Sequence, residues 1–206
     1  MFLSRDDTMK ILTKEEFFVH KQEYLKKILD GAVFIYPTDT IYGIGCDATN
    51  EISVAKIRKI KERWDAPLSV IAPSKEWIEE NCEVFGKGHD YLKKLPGKYT
   101  LIFALKHEDC IASNVNSEKG EKGKEIMELS LGVRIPNHWI SDVVKELDIP
   151  VITTSVNRHG ESFLTNISHL PAEIRNNVDF AIDVGEIKGT PSQVIDLVSG
   201  EAIVRR

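Results

Sequence analysis

Apolar residues along the chain follow two patterns, one typical of helices and one typical of buried strands. Spacing of three and four residues predicts amphipathic helices, whereas short unbroken runs bounded by Gly or Pro predict strands. The helical pattern occupies residues 13–29, 52–63, 74–85, 88–95, 139–147 and 170–176. The strand pattern occupies residues 32–36, 68–72, 100–105, 131–135, 151–154, 180–184, 193–198 and 202–205.

The order of these elements predicts an α/β fold. Apolar strands that alternate with helices indicate a sheet covered on both faces, and the closing run of strands indicates antiparallel additions. We therefore expect one open, twisted sheet of mixed parallel and antiparallel strands, flanked by helices. No repeat or Pro/Ser-rich linker divides the chain, so residues 1–206 are predicted to form a single domain. The charged, Gly-bearing stretch 106–124 is predicted to be a loop.

Composition narrows the functional classes. Hydrophobic residues make up 42% of the 206 positions and charged residues 29%, which is a globular balance. No apolar run reaches the roughly 18 to 20 residues that a membrane helix needs, and the first residues lack the apolar core of a signal peptide. We therefore expect a soluble, cytoplasmic protein. The three cysteines are widely separated, and residues 107–110 are interpreted as a solvated loop, so neither disulfides nor a metal site are predicted.

The net charge of −5 bears on the partner. Duplex DNA and tRNA are bound through many Lys and Arg contacts, and an acidic chain is poorly suited to present an extended face of that kind. A few inward-pointing cations on an acidic surface suit a small anionic substrate instead.

Polar clusters interrupt the apolar pattern, and each has a structural as well as a functional interpretation. Residues 36–48, YPTDTIYGIGCDA, bring Thr40 and a carboxylate to the end of a strand, where they form either a ligand site or a turn. Lys61 and Arg63 close a helix, where they suit either a phosphate clamp or the helix dipole. Arg134 lies inside an apolar strand, so its guanidinium must be paired or face a ligand.

Two further clusters follow later in the chain. Ser155 and Asn157 come directly after a strand at i and i+2, so in extended backbone they share one side, although a hydroxyl-rich turn is the alternative. Ser192 begins a strand, and Arg205 and Arg206 end the chain with two cations. Each cluster alone is a weak indication of function.

Together, the clusters match the motifs of one family in type and order. From about residue 30 onwards, the chain resembles the YrdC-like threonylcarbamoyl-AMP synthases. The motifs are P-T-D-T-x-Y-G at 37–43, K-x-R at 61–63 followed by P-L, P-G-x-x-T at 96–100, V-R-x-P at 133–136, S-x-N at 155–157 with Thr165 after it, and S-x-V-x-D at 192–196. The K-x-R loop is one residue shorter than is usual in the family and carries Trp64 where Pro is common. Ile71 stands where many long members have His.

The resemblance implies a large concave cationic cavity in which ATP, L-threonine and bicarbonate or CO2 give threonylcarbamoyl-AMP and pyrophosphate. It implies a nucleotidyltransferase whose product a separate transferase complex moves to tRNA, as N6-threonylcarbamoyladenosine, so that tRNA is only an indirect partner. By motif, threonine would contact Thr40, Arg134, Ser155 and Ser192, and ATP would contact Lys61, Arg63, Ser130, Asn157, Thr165 and Arg205. Lys61 and Arg63 would be the catalytic residues. Longer members carry an extra C-terminal domain, which is not expected here.

These residue types suit the implied reaction. A carbamate oxygen, formed from the threonine amine and bicarbonate, itself attacks the α-phosphorus, so the protein needs no covalent nucleophile. It needs positioning and charge neutralisation, which Lys61 as a point charge and Arg63 as a planar fork can supply to the triphosphate. Mg2+ would be carried by the ATP phosphates.

Other functions fit parts of the pattern. The main alternative is a non-catalytic RNA-binding or regulatory module that uses the same basic cavity, although net acidity and the lack of interleaved aromatic and basic residues disfavour it. A P-loop NTPase is excluded because the GEKGK run does not complete G-x-x-x-x-G-K-[ST]. The homologous domain of larger hydrogenase maturation proteins occurs with additional domains, so a free-standing synthase is the simpler interpretation.

Overall fold

The computed structural model describes residues 9–64, 66–116, 129–158 and 160–205, which form one sheet with helices on both faces. Its strands are β1 (Lys10–Thr13), β2 (Phe34–Tyr36), β3 (Gly43–Gly45), β4 (Ser69–Ile71), β5 (Tyr99–Ala104), β6 (Ser130–Arg134), β7 (Val151–Ser155), β8 (Phe180–Asp183), β9 (Gln193–Asp196) and β10 (Ile203–Arg205). Its α-helices are α1 (Lys14–Val19), α2 (Lys21–Leu29), α3 (Glu51–Lys61), α4 (Lys75–Asn81), α5 (Gly88–Leu92), α6 (Ile140–Leu147) and α7 (Ala172–Arg175). Short 3-10 helices span Glu108–Cys110, Ser113–Val115 and Ile167–His169.

The strands pair in the order β1-β8-β2-β3-β7-β4-β6-β5-β9-β10. The pairs β1–β8, β2–β8, β4–β6 and β5–β9 are parallel. The pairs β2–β3, β3–β7, β4–β7, β5–β6 and β9–β10 are antiparallel. The predicted α/β fold with a mixed sheet is therefore confirmed.

Two apolar cores lie on opposite faces of this sheet. In β2, Ile35 packs in the first core, whereas its neighbours Phe34 and Tyr36 pack in the second. Because successive residues of a strand point to opposite faces, the two cores are separated by the sheet. Helix α3 covers the first core, and α1, α2 and α6 cover the second. Helices therefore flank the sheet as predicted.

Three elements differ from the predictions for physical reasons. The helix predicted over 13–29 is two helices, because the backbone of His20 leaves helical geometry, with φ −107° and ψ 23°. Strand β1 was not predicted, since it buries only Leu12 and lacks an apolar run. Strand β3 was not predicted because Gly-Ile-Gly is a poor strand sequence. A Cβ on Gly45 would lie 2.0 Å from the Ile152 carbonyl oxygen. Strand β3 can therefore approach β7 this closely only because residue 45 is glycine.

The remaining predicted elements are present with shifted ends. The helix predicted over 74–85 ends at Asn81, because Cys82 has extended backbone and forms an isolated bridge with Leu105. Of the loop predicted over 106–124, residues 106–116 contain two 3-10 turns, and the rest lies outside the described residues. In the described part of the chain, no helix is long and apolar enough to cross a membrane.

Candidate active site

A cavity of about 490 Å³ lies on one face of the sheet. Residues of six adjacent strands line it, mostly at alternate positions: Gly43 of β3, Thr153 and Ser155 of β7, Ser69 of β4, Ser130, Gly132 and Arg134 of β6, Thr100 and Ile102 of β5, and Val194 of β9. The residues between them, such as Leu101 and Leu131, pack in the first core on the other face. Ile71, two residues after Ser69, packs in the second core. The cavity therefore occupies the part of that face which α1, α2 and α6 leave uncovered.

The turn between β2 and β3 forms another part of the cavity wall. The Thr38 hydroxyl accepts hydrogen bonds from the backbone N–H groups of Thr40 (3.1 Å) and Ile41 (3.2 Å), and it donates to the Ile41 carbonyl oxygen (2.6 Å). These bonds hold the Thr40 side chain at the cavity. Both interpretations of this sequence cluster therefore apply, because the segment is a turn and also lines a potential binding site.

Arg134 is paired and also borders the cavity. Its Nη2 donates to Asp39 Oδ1 (2.6 Å) and its Nη1 to Thr40 Oγ1 (3.3 Å). Asp39 Oδ2 accepts in turn from the Asn137 N–H (3.0 Å). Burial lowers the pKa of Arg134, and the Asp39 carboxylate opposes that shift. Among the described residues, Arg134 Nε is buried and has no hydrogen-bond partner.

Lys61 lies behind the cavity wall and supports the S-x-N turn. Its Nζ donates to the Ser155 carbonyl oxygen (2.6 Å) and to Asn157 Oδ1 (2.6 Å), and Ser155 and Asn157 both line the cavity. Those two residues converge through a tight turn, in which the Asn157 N–H donates to the Ser155 carbonyl oxygen (3.1 Å), rather than through extended backbone as expected. Burial lowers the pKa of Lys61 to about 8, and the charge of Arg63 acts in the same direction.

Arg63 lines the cavity because the chain leaves the helix between it and Lys61. Glu62 has left-handed backbone, with φ 50° and ψ 37°, and this ends α3. Arg63 is therefore not held to the helical spacing from Lys61. The Arg63 guanidinium makes no hydrogen bond or ion pair with the described residues. It is a cation whose charge is available to a ligand.

The other predicted contacts fall in three places. Ser130 and Ser192 line the cavity, and Ser192 Oγ lies 2.7 Å from Thr100 Oγ1. Thr165 lines a second, smaller cavity of about 190 Å³, which shares Asn157 with the first. Arg205 lies on exposed β10, forms an ion pair with Asp196 and lines neither cavity, and Arg206 lies outside the described residues.

The charge of the cavity wall suits an anion. Of the described residues, two arginines and no carboxylate line it. Over the same part of the chain, no group of three or more His, Cys, Asp or Glu side chains could hold a metal ion.

Several polar wall residues were missed from the sequence. They include Ser69, Thr100 and Thr153, which lie in strands that were interpreted as continuous apolar runs. The segment 130–134, S-L-G-V-R, contains the signal, because every second residue is polar or lacks a side chain. Alternation of this kind indicates one face packed in a core and one face open to a ligand. Asp39 was also missed as the partner of Arg134, although it lies inside the P-T-D-T motif.

Comparison with known proteins identifies the family. The Sua5_yciO_yrdC family model, described as "Telomere recombination", matches residues 26–206. The chain belongs to the Sua5/YciO/YrdC family. A Methanocaldococcus jannaschii relative, provisionally named threonylcarbamoyl-AMP synthase, is 34% identical over 186 residues, which cover 88% of this chain and 82% of that protein. The resemblance to YrdC-like proteins is thereby confirmed.

Solved structures of the Sua5/YciO/YrdC family share this fold. P. abyssi Sua5 in complex with L-threonine aligns with a TM-score of 0.78 at 26% identity, covering 96% of this chain and 56% of Sua5. This chain thus spans little more than half the length of that relative. E. coli YciO aligns with a TM-score of 0.75 over 97% of this chain and 93% of its own, and at 23% identity it shows the fold alone.

Proposed function

We propose that this chain is an L-threonylcarbamoyladenylate synthase, a nucleotidyltransferase that converts L-threonine, bicarbonate or CO2, and ATP to threonylcarbamoyl-AMP and pyrophosphate. The observation that carries the proposal is that Arg134 and Arg63 border one cavity, so an amino acid and a triphosphate can meet there. Its volume lies in the range of small-ligand sites. Family membership and the name of the M. jannaschii relative support the same reaction.

The threonine side of the cavity would be the surroundings of Arg134. The guanidinium borders the cavity and would face the substrate carboxylate, and Asp39 keeps the buried charge neutralised before substrate binds. Thr40, Ser155 and Ser192 offer hydroxyls that can bind the amino group or the hydroxyl of threonine.

The nucleotide side would be the S-x-N turn and the loop after α3. Arg63 can place two parallel N–H groups on phosphate oxygens, because its guanidinium is free of described protein partners. Lys61 would act through its charge and through Asn157 and Ser155, which it holds in place. Ser130 would contact the same ligand, and Thr165 lines the adjoining cavity into which the nucleotide can extend. Arg205 remains a predicted contact on β10.

The chemistry needs little from the protein beyond orientation and charge. The threonine amine and bicarbonate condense to a carbamate as the C–OH bond of bicarbonate breaks and water leaves. A carbamate oxygen then attacks the α-phosphorus, and the bond to the β-phosphate oxygen breaks as pyrophosphate leaves. Magnesium would enter as MgATP, since the described cavity wall carries no carboxylate to hold it. The product would pass to a separate threonylcarbamoyl transferase complex that acts on tRNA in the cytoplasm.

Pyrophosphate release tests the proposal directly. The purified protein should release pyrophosphate from ATP only when both threonine and bicarbonate are present. Arg63→Ala should lower kcat by about a hundred- to a thousandfold, because one donor to the developing charge is lost, while the unfolding transition stays in place. Lys59→Gln is the matched control, since it removes an exposed cation from the same helix.

Calorimetry distinguishes the proposal from its alternative. Threonine binding should be measurable and should strengthen in the presence of a non-hydrolysable ATP analogue. A protein that binds ATP but never releases pyrophosphate would refute the synthase assignment. Salt-sensitive RNA binding without any threonine binding would favour the regulatory module.

A further inference from the structure

Arg58 is a buried cation in the last turn of α3 that no step of the proposed reaction uses. Its side chain is 0% exposed, and it packs on the same helix as the buried apolar residues Ile57 and Ile60. A buried guanidinium is unfavourable unless hydrogen bonds replace its water, so its partners indicate what it stabilises.

The described partners of Arg58 belong to two separate loops. Nη1 donates to the carbonyl oxygens of Arg63 (3.0 Å) and Ala66 (3.1 Å), in the loop that follows α3. Nε donates to the carbonyl oxygen of Asn114 (2.6 Å), and Nη2 donates to that of Val115 (2.9 Å). The planar guanidinium therefore joins the loop that carries Arg63 to the turn at 114–115.

That turn is itself anchored to the start of α3. Asn114 Nδ2 donates to the Glu51 carbonyl oxygen (2.9 Å), and Ser113 Oγ donates to Glu51 Oε1 (2.9 Å). The Leu68 N–H donates to the Val115 carbonyl oxygen (3.0 Å), just before β4. Arg58 thus ties the loop after α3 to a support that is fixed at both ends.

Arg63 depends on this support because its own side chain is not held. Its guanidinium lines the cavity without a hydrogen bond or ion pair to the described residues. The position of that guanidinium is therefore set by the backbone of its loop. Arg58 binds the carbonyl oxygen of Arg63 itself.

We propose that Arg58 is a positioning residue, which holds Arg63 at the phosphate side of the cavity by binding the carbonyl oxygens of the loop after α3. The inference rests on the proposed function, because it takes the ligand of Arg63 to be the triphosphate of ATP. A lysine at position 58 would retain the buried charge but could not span both loops, since an ammonium group lacks the planar fork.

A double-mutant cycle on nucleotide binding tests this role. Calorimetry with a non-hydrolysable ATP analogue should show that Arg58→Lys weakens binding about tenfold in the native background and less than about twofold in the Arg63→Ala background. Threonine affinity should change less than about twofold in either background. Ile57→Val, a buried substitution on the same helix, should lower Tm while leaving ATP affinity unchanged.

The outcomes separate a positioning role from a structural one. The inference would be overturned if Arg58→Lys lowered ATP affinity equally in both backgrounds, or if it lowered threonine and ATP affinity in parallel. It would also be overturned if Ile57→Val lowered ATP affinity as much as Arg58→Lys does. If Arg58→Lys does not fold, Arg58→Gln is measured in its place, and failure of both to fold makes Arg58 purely structural and overturns the inference. If the native protein binds no ATP analogue, the proposed function is rejected as well. If the native protein binds the analogue but the effects of the two substitutions are additive, only the role of Arg58 is rejected.

Discussion

Removing the Asp39 carboxylate should destabilise the folded protein, because Arg134 would become a buried charge without a counter-ion. Asp39 Oδ1 lies 2.6 Å from Arg134 Nη2, and each side chain is 7% exposed. After Asp39→Ala, the hydroxyl of Thr40 would be the remaining described acceptor, at 3.3 Å from Nη1. A guanidinium does not lose its proton in proteins, so Arg134 cannot become neutral instead.

The size of this destabilisation follows from the burial of the Asp39–Arg134 ion pair and from the cavity that lies beside Arg134. Breaking a buried ion pair by removing one partner costs about 3–5 kcal/mol, whereas an exposed pair contributes about 0–1 kcal/mol. Because Arg134 borders the cavity, water can reach one edge of its guanidinium, and we expect the lower end, about 3 kcal/mol. The Asn137 N–H also loses its acceptor, but Asn137 is exposed and water can replace that bond, so this adds less than about 1 kcal/mol. A domain with about 5–15 kcal/mol of total stability can remain folded after such a loss.

Urea unfolding followed by circular dichroism measures this effect. The midpoint should fall while the denaturant slope stays constant. Glu23→Ala is the control, since Glu23 forms a solvent-exposed i,i+4 pair with Lys27 at 2.8 Å and should change the free energy of unfolding by less than about 1 kcal/mol. Asp39→Asn retains an acceptor for the Asn137 N–H, so its effect on the free energy of unfolding measures the contribution of the carboxylate charge alone. If Asp39→Ala costs no more than Glu23→Ala, the pair is effectively solvated and the reasoning is refuted.

Three further predictions concern ligand binding. Because the pKa of Lys61 is lowered to about 8, its charge is present at neutral pH and lost as the pH rises through that value. Affinity for an ATP analogue, measured by calorimetry, should therefore fall between about pH 7 and pH 9, and Lys61→Gln should bind weakly at both. Ser192→Ala should lower threonine affinity by about two- to tenfold and leave ATP affinity unchanged, as expected for the loss of one hydroxyl contact. Gly189→Ala should weaken threonine binding, because a Cβ there would lie 1.7 Å from the Thr40 carbonyl oxygen and must displace that turn.

Each of these predictions has a contrary outcome. A pH profile with the same slope in native protein and in Lys61→Gln would show that another group titrates. Equal losses of threonine and ATP affinity in Ser192→Ala would remove that hydroxyl from a threonine-specific role. If Gly189→Ala binds threonine as tightly as the native protein does, the turn at Thr40 can shift without affecting the site.

Much of the secondary structure was predictable because the buried side of a helix or strand determines the spacing of apolar residues along that segment. Helix α3 and strand β6 appear at their predicted places, since their apolar spacing reflects which side of each segment is buried. Strand β3 could not be predicted in this way. Its glycines are required by the close approach of β7, a segment that lies more than a hundred residues later in the chain.

The sequence by itself determined which side chains can bind an anion, and their order was enough to indicate the family. Only the tertiary structure decided how they are arranged: Arg63 faces the cavity, Lys61 supports its wall, and Asp39 pairs with an arginine 95 residues away. The reason is physical. Apolar spacing reports the burial of one segment, whereas the pairing of distant side chains depends on the order of strands in the sheet, which local spacing does not encode.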